Sequence, residues 1–215
     1  MTDDVFSRFA PFIQEYIYRH HWEGLREVQL AAARVLFDQE DNLLLASSTA
    51  SGKTEAAFFP LISMMVQSPP HSFGVLYIAP LKSLINDQFQ RLDELLDLTG
   101  IPVFHWHGDV AASHKNKALL HPEGILQITP ESLEAMLMRR PNDVVRLFAD
   151  LRFVVLDEVH TLTGSDRGNQ ILCLLARLQR LIGHAPRRIG LSATIGDLSL
   201  ACSWLGSGSG RETVS

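Results

Sequence analysis

The sequence predicts an α/β fold, a mostly parallel sheet with helices on both faces. Three observations lead there. Short apolar runs recur along the chain and are nearly continuous rather than alternating, as strands covered on both faces require. Between them lie segments whose apolar residues repeat with helical period, and strand–helix alternation of this kind builds parallel sheets. The chain has 215 residues, 46% hydrophobic and 20% charged. That composition suits one ordinary domain with a sizeable core and excludes wholesale disorder.

Residues 1–41 read as a helical segment. Phe6, Phe9 and Phe12 are expected to pack in a core, and Leu25–Phe37 forms an amphipathic helix with Val28, Ala32, Val35 and Leu36 inward. Residues 42–205 form the main lobe. Its strand-like runs are Asn42–Ala46, Phe73–Ala79, Val103–His107, Gly124–Thr129, Phe153–Asp157 and Arg188–Ser192. Among the helices, Glu55–Val66 is apolar nearly all round and therefore buried, with a kink or strain expected at Pro60. Ile85, Phe89, Leu92 and Leu96 share one helical face, as do Ile171, Leu174, Leu175, Leu178, Leu181 and Ile182. Residues 206–215, GSGSGRETVS, read as a polar tail or linker.

Several function classes drop out. No run approaches the roughly 18 apolar residues of a membrane-spanning helix, so no membrane association is expected. The start, MTDDVFSRFAPF, lacks the basic end and apolar stretch of a secretory signal. Cys173 and Cys202 are too few for a disulfide framework, which points to a reducing, cytoplasmic (intracellular) setting. Cys173, on an apolar helix, is expected to be inert core. The net charge of −5 gives no bulk signal for nucleic-acid binding, although a groove can be locally positive on an acidic protein.

Three patterns carry chemistry. The first is Ser47–Thr54, SSTASGKT, between a strand and a helix. It matches the phosphate-loop pattern G-x-x-x-x-G-K-[ST] except that Ser47 replaces the first glycine. Gly52 lets the backbone approach an anion, and the helix N-terminus cradles it. Lys53 supplies a point charge for phosphates, and the Thr54 hydroxyl can ligate Mg2+. The bland alternative is a Ser/Thr-rich turn capping a helix. The second pattern is Asp157-Glu158-Val159-His160, closing the run FVVLD. Asp157 suits a metal and Glu158 a base that orients water; the alternative is a helix cap. The third is Ser192-Ala193-Thr194, again after a strand and, taken alone, more often a turn.

The order of these patterns, each after a strand, resembles the first RecA-like lobe of the superfamily 2 DEAD/DEAH-box helicases, a P-loop NTPase fold, from about Trp22 to Leu205. The strings DEVH, TPESL, WHGD and LSATIGD are most similar to the Lhr-like (large helicase-related) branch. The resemblance implies ATP and Mg2+ as cofactors, with Gln29 reading the adenine edge in a Q-motif-like region. Ser48, Thr49, Ala50, Ser51, Gly52, Lys53 and Thr54 would hold the phosphates, and Thr54 and Asp157 the Mg2+. Lys53, Asp157 and Glu158 would be catalytic. Pro80 and Lys82, His107 and Gly108, and Thr129, Pro130 and Glu131 would grip a nucleic-acid backbone, single- or double-stranded, RNA or DNA. His160, Ser192 and Thr194 would couple the two sites.

The resemblance also implies a second RecA-like lobe bearing arginine fingers, which the three motifs stop short of. The expectation is thus the ATP-binding lobe of a longer helicase or translocase, with little turnover alone. An ATP-gated clamp without unwinding is the alternative. A P-loop kinase or other small NTPase would share Ser47–Thr54 and Asp157 but leaves TPESL, WHGD and SAT without a purpose.

Overall fold

The structure, a computed structural model, describes residues 3–47, 52–80, 96, 97, 99–193 and 195–215. The order of elements is α1 (Asp3–Ser7), α2 (Pro11–Arg19), α3 (Glu27–Asp38), β1 (Asn42–Ala46), α4 (Lys53–Gln67), β2 (Phe73–Ile78) and β3 (Val103–Trp106). There follow α5 (Ala112–Leu120), β4 (Gly124–Ile128), α6 (Pro130–Arg139), α7 (Pro141–Leu147), β5 (Phe153–Leu156) and α8 (Val159–Leu162). The remainder is α9 (Asp166–Ile182), β6 (Arg187–Ser192), α10 (Leu198–Gly206) and β7 (Thr213–Val214). The strands form one seven-stranded sheet in the order β3-β4-β2-β5-β6-β1-β7. Every described pairing is parallel, so the expected architecture holds.

Alternate residues of each strand feed two cores, which is why the runs lack a polar face. Leu43, Leu45, Val75, Tyr77, Ile125, Val155, Ile189 and Leu191 pack with helices α1 to α4. Leu44, Leu76, Leu126, Val154 and Leu156 pack with α6 to α10 on the other face. Each leucine or phenylalanine fully withdrawn from water adds about 1.5–3 kcal/mol. Helix α4 carries Pro60 inside it, and its residues Ala56 to Ser63 are all buried. There Ser63 Oγ donates to the Phe59 carbonyl at 2.8 Å and accepts from Ala10 N at 2.9 Å, tying α2 to α4. Of the helical face anticipated at residues 85–96, Ile85, Phe89 and Leu92 lie outside the described residues.

The structure corrects two expectations. Residues 206–215 are not a free tail. Thr213 and Val214 pair with Asn42 and Leu43 as an added edge strand, and Asn42 N donates to the Glu212 carbonyl at 2.8 Å. The serines that read as linker serve as partners: Ser209 is buried and accepts from Asn42 Nδ2 at 2.8 Å. Arg188, fully buried, donates to the carbonyls of Leu205 at 2.9 Å and Ser207 at 2.7 Å, and burial pulls its pKa down to about 10. The second correction is Cys173, which is exposed on α9 while Ile171, Leu174, Leu175 and Leu178 face the core.

Candidate active site and nucleic-acid edge

Four of the six long strands stop one residue short of the predicted run, and at three of them the residue left over is a predicted site residue. Ala79, His107, Thr129 and Asp157 stand just past the tips of β2, β3, β4 and β5. All lie at the C-terminal edge of a parallel sheet, the edge where open α/β sheets bind ligands.

The phosphate-loop pattern enters α4 through Gly52, whose φ of 83° and ψ of 28° are left-handed. A Cβ there would fall 2.7 Å from Gln29 Nε2, so glycine is required by both conformation and space. Lys53 Nζ donates to the Ser47 carbonyl at 2.6 Å, which spans the loop. Burial holds the Lys53 pKa below its ordinary value, opposed by the negative charges of Glu158 and Asp157. The lysine is therefore close enough to feel both acids. Thr54 sits in the first turn of α4. Ser48, Thr49, Ala50 and Ser51 lie outside the described residues.

Gln29, the residue expected to read the adenine edge, is 1% exposed. Its Oε1 accepts from Arg26 N at 2.9 Å, closing the N-terminus of α3. Its Nε2 has no partner among the described residues. A buried unmet donor costs about 1–3 kcal/mol, and this one stands beside Gly52. A nucleotide base offering an acceptor would satisfy it, so the residues present fit the group that the pattern implies.

Asp157 is buried at the tip of β5, and its N donates to the Ile78 carbonyl at 3.0 Å. Its Oδ2 accepts from the Tyr77 hydroxyl at 2.5 Å and its Oδ1 from Glu158 N at 2.9 Å. Burial raises the Asp157 pKa; the Tyr77 hydrogen bond opposes that and the Glu158 charge adds to it. Glu158 holds a left-handed φ of 55°, rare for a side chain of its size and a strain of about 1–3 kcal/mol. Its Oε2 lies 3.3 Å from His160 Nδ1. The same Nδ1 is 3.3 Å from Ser192 Oγ and 3.4 Å from Ala193 N, and His160 N donates to Ser192 Oγ at 3.1 Å. The DEVH and SAT strings thus meet through one histidine; Thr194 lies outside the described residues.

The residues assigned to strand gripping occupy the tips of the other half of the sheet. Thr129 caps α6, its Oγ1 accepting from Ser132 N at 3.4 Å, with Pro130 following at the helix start. Thr129 thus closes the helix N-terminus. His107 and Gly108 follow β3, beside an open cavity of about 530 Å3 lined in part by His105, His107, Asp109, His114 and Lys117. Lys82 lies outside the described residues. Pro80 and Glu131 are joined by Arg167, which donates to the Pro80 carbonyl at 2.7 Å and to Glu131 Oε1 at 2.5 Å. Glu131 thus pairs with Arg167.

Sequence reasoning missed Arg167 and Tyr77. Arg167 precedes Gly168, where a Cβ would fall 2.0 Å from the Leu162 carbonyl, so the start of α9 must come in close. Tyr77 was read as one more apolar strand residue, and its hydroxyl in an aliphatic run was the only signal.

The sequence profile of the DEAD/DEAH box helicase family matches residues 26–200. The chain is 37% identical over 172 residues to ATP-dependent helicase Lhr-Core protein 2 of Thermococcus barophilus, covering 72% of this chain and 20% of that protein. It is 32% identical over 220 residues to ATP-dependent helicase Lhr-Core of Methanothermobacter thermautotrophicus, covering 95% of this chain and 25% of that protein. The structure of Mycobacterium smegmatis helicase Lhr bound to ssDNA and AMP-PNP superposes with a TM-score of 0.82 at 28% identity, covering 98% of this chain and 28% of that one. Mss116p bound to ssRNA and AMP-PNP shares the fold, with a TM-score of 0.82 at 18% identity, covering 96% of this chain and 42% of that one. The chain thus spans only a quarter or less of these two Lhr-Core relatives. By motif order, by fold and by these likenesses, the chain belongs to the DEAD/DEAH box helicase family.

Proposed function

We propose that this chain is the N-terminal, ATP-binding lobe of an ATP-dependent helicase or translocase that moves on RNA or DNA and hydrolyses ATP only with a second RecA-like lobe. The observation that carries the reading is the convergence of Lys53, Asp157, Glu158 and the His160–Ser192 contact at one end of the sheet. Gln29 would give its free amide hydrogen to the base. Residues 48–54 would cradle the phosphates, with Lys53 as the charge. Thr54 and Asp157 would hold Mg2+, whose chemistry is to neutralise charge on the terminal phosphates. Glu158, held by its left-handed backbone and by His160, would orient the attacking water. His160, Ser192 and Thr194 would report the state of this site to the strand-gripping edge. There Pro80, Lys82, His107, Gly108, Thr129, Pro130 and Glu131 would contact the nucleic-acid backbone, Glu131 through Arg167.

An arginine supplied by a second lobe contributes about 10³–10⁵ in rate to such reactions, so turnover by this lobe alone should be slow. Residues 42–205 are the lobe proper, residues 1–41 add Gln29 and its helices, and residues 206–215 complete the sheet edge. An intracellular setting belongs to the same proposal and rests on the two free cysteines; no helix among the described residues is long and apolar enough to cross a membrane. Steady-state ATP turnover by the chain, with and without single-stranded RNA or DNA, tests the reading. Turnover near background in every case, restored by adding the remainder of the protein, is the expected result. Efficient phosphate transfer to a small molecule without nucleic acid would overturn it.

A further inference from the structure

The Tyr77 side chain has a role that the motif pattern does not contain. Tyr77 lies on β2 opposite Val155 of β5, and Asp157 is two residues further, just past the tip of β5. Positions two apart point to one face, and they are about 6.6 Å apart along a strand, close to the reach of a tyrosine from Cα to hydroxyl. The hydroxyl meets Asp157 Oδ2 at 2.5 Å with both residues buried. The ring itself is held by Phe58 of α4, its centroid 6.1 Å away. A carboxylate has about four acceptor positions. Tyr77 takes one on Oδ2 and Glu158 N takes one on Oδ1, so the carboxylate plane is set while a position on each oxygen stays available.

We infer that Tyr77 is a positioning residue that orients Asp157 toward Mg2+ and joins that acid to the helix leaving the phosphate loop. The inference rests on the assignment of Asp157 to the metal side of a nucleotide site. Groups that orient a metal ligand typically change metal affinity 10- to 100-fold when removed. The ring of Tyr77→Phe keeps the core filled, so the loss is confined to the hydroxyl.

Calorimetric titration of the chain with ADP, with Mg2+ and with a chelator instead, separates the two contributions to affinity. Tyr77→Phe should lower affinity about tenfold with Mg2+ and leave the Mg2+-free affinity unchanged. Asp157→Asn should remove the Mg2+-dependent gain. Loss of that gain in Asp157→Asn but not in Tyr77→Phe overturns the positioning role alone. No Mg2+-dependent gain in the native chain, or an unchanged gain in Asp157→Asn, overturns the reading of Asp157 beneath it. Equal loss of both affinities in Tyr77→Phe, with a lowered melting temperature, assigns Tyr77 to packing and also overturns the inference.

Discussion

Replacing Gly52 by alanine imposes two penalties that can be measured apart. The first is conformational. The φ of 83° is left-handed, and a residue with a Cβ pays about 1–2 kcal/mol there. The second is spatial. The new Cβ would sit 2.7 Å from Gln29 Nε2. The amide must move, but Gln29 is enclosed and its Oε1 holds Arg26 N at 2.9 Å. Giving up that bond costs about 0.5–1.5 kcal/mol. The total is roughly 1.5–3.5 kcal/mol. Gly164 provides the comparison, since its φ of 74° is also left-handed but nothing lies within 4 Å of an added Cβ. Gly164→Ala should therefore show the conformational part alone. Urea unfolding of Gly52→Ala, Gly164→Ala, Gln29→Ala and the Gly52→Ala/Gln29→Ala pair gives the coupling directly. The expected coupling between positions 29 and 52 is about 1 kcal/mol, with ADP affinity falling in Gly52→Ala and unchanged in Gly164→Ala. Equal costs at the two glycines with no coupling would refute the contact between Gln29 and the loop.

Three further outcomes follow from the same geometry. Arg188→Met leaves the carbonyls of Leu205 and Ser207 without their buried donor; it should cost about 1–3 kcal/mol in urea unfolding and open residues 206–212 to limited proteolysis, and a tail no more cleavable than the native one would contradict it. Arg167→Gln frees the Pro80 carbonyl and the Glu131 carboxylate, so single-strand affinity by fluorescence anisotropy should fall several-fold while ADP affinity holds; a parallel fall in both would contradict a role confined to that edge. The Arg152 guanidinium, the larger cause, and His71 N hold the Asp150 carboxyl below its usual range. A lowered carboxylate pKa adds stability above the unfolded value of about 3.9 that is lost as pH falls through the folded value. Asp150→Asn should flatten the acid limb of the stability profile below about pH 4, and an unchanged limb would show the pair contributes nothing.

The sheet was legible because burial on both faces leaves continuous apolar runs, and the C-terminal tips were legible because glycine, acid and hydroxyl residues interrupt those runs. What escaped has physical reasons. Residues 206–215 have the composition of a linker, and only their hydrogen bonds to Asn42 and Arg188, far away in sequence, make them part of the sheet. Cys173 follows Leu172 and precedes Leu174, but one residue turns a helix by about 100°, and that places it off the buried face. The residues proposed for the nucleotide side are marked by local spacing. Their supports, Tyr77 to Asp157 and Arg167 to Glu131, span 80 and 36 residues, which no local pattern reports. Gln29 is a candidate by its place in the Q-motif-like region alone, while its burial beside Gly52 depends on how α3 packs on α4.

The most direct test of the central claim is calorimetric titration of the chain and of its Lys53→Ala variant with Mg-ADP. The account predicts measurable binding by the native chain and at least a tenfold loss in the variant, since Lys53 is the one charge that the loop presents beside Asp157 and Glu158 among the described residues. Full affinity in Lys53→Ala would contradict the placement of the nucleotide at this edge of the sheet.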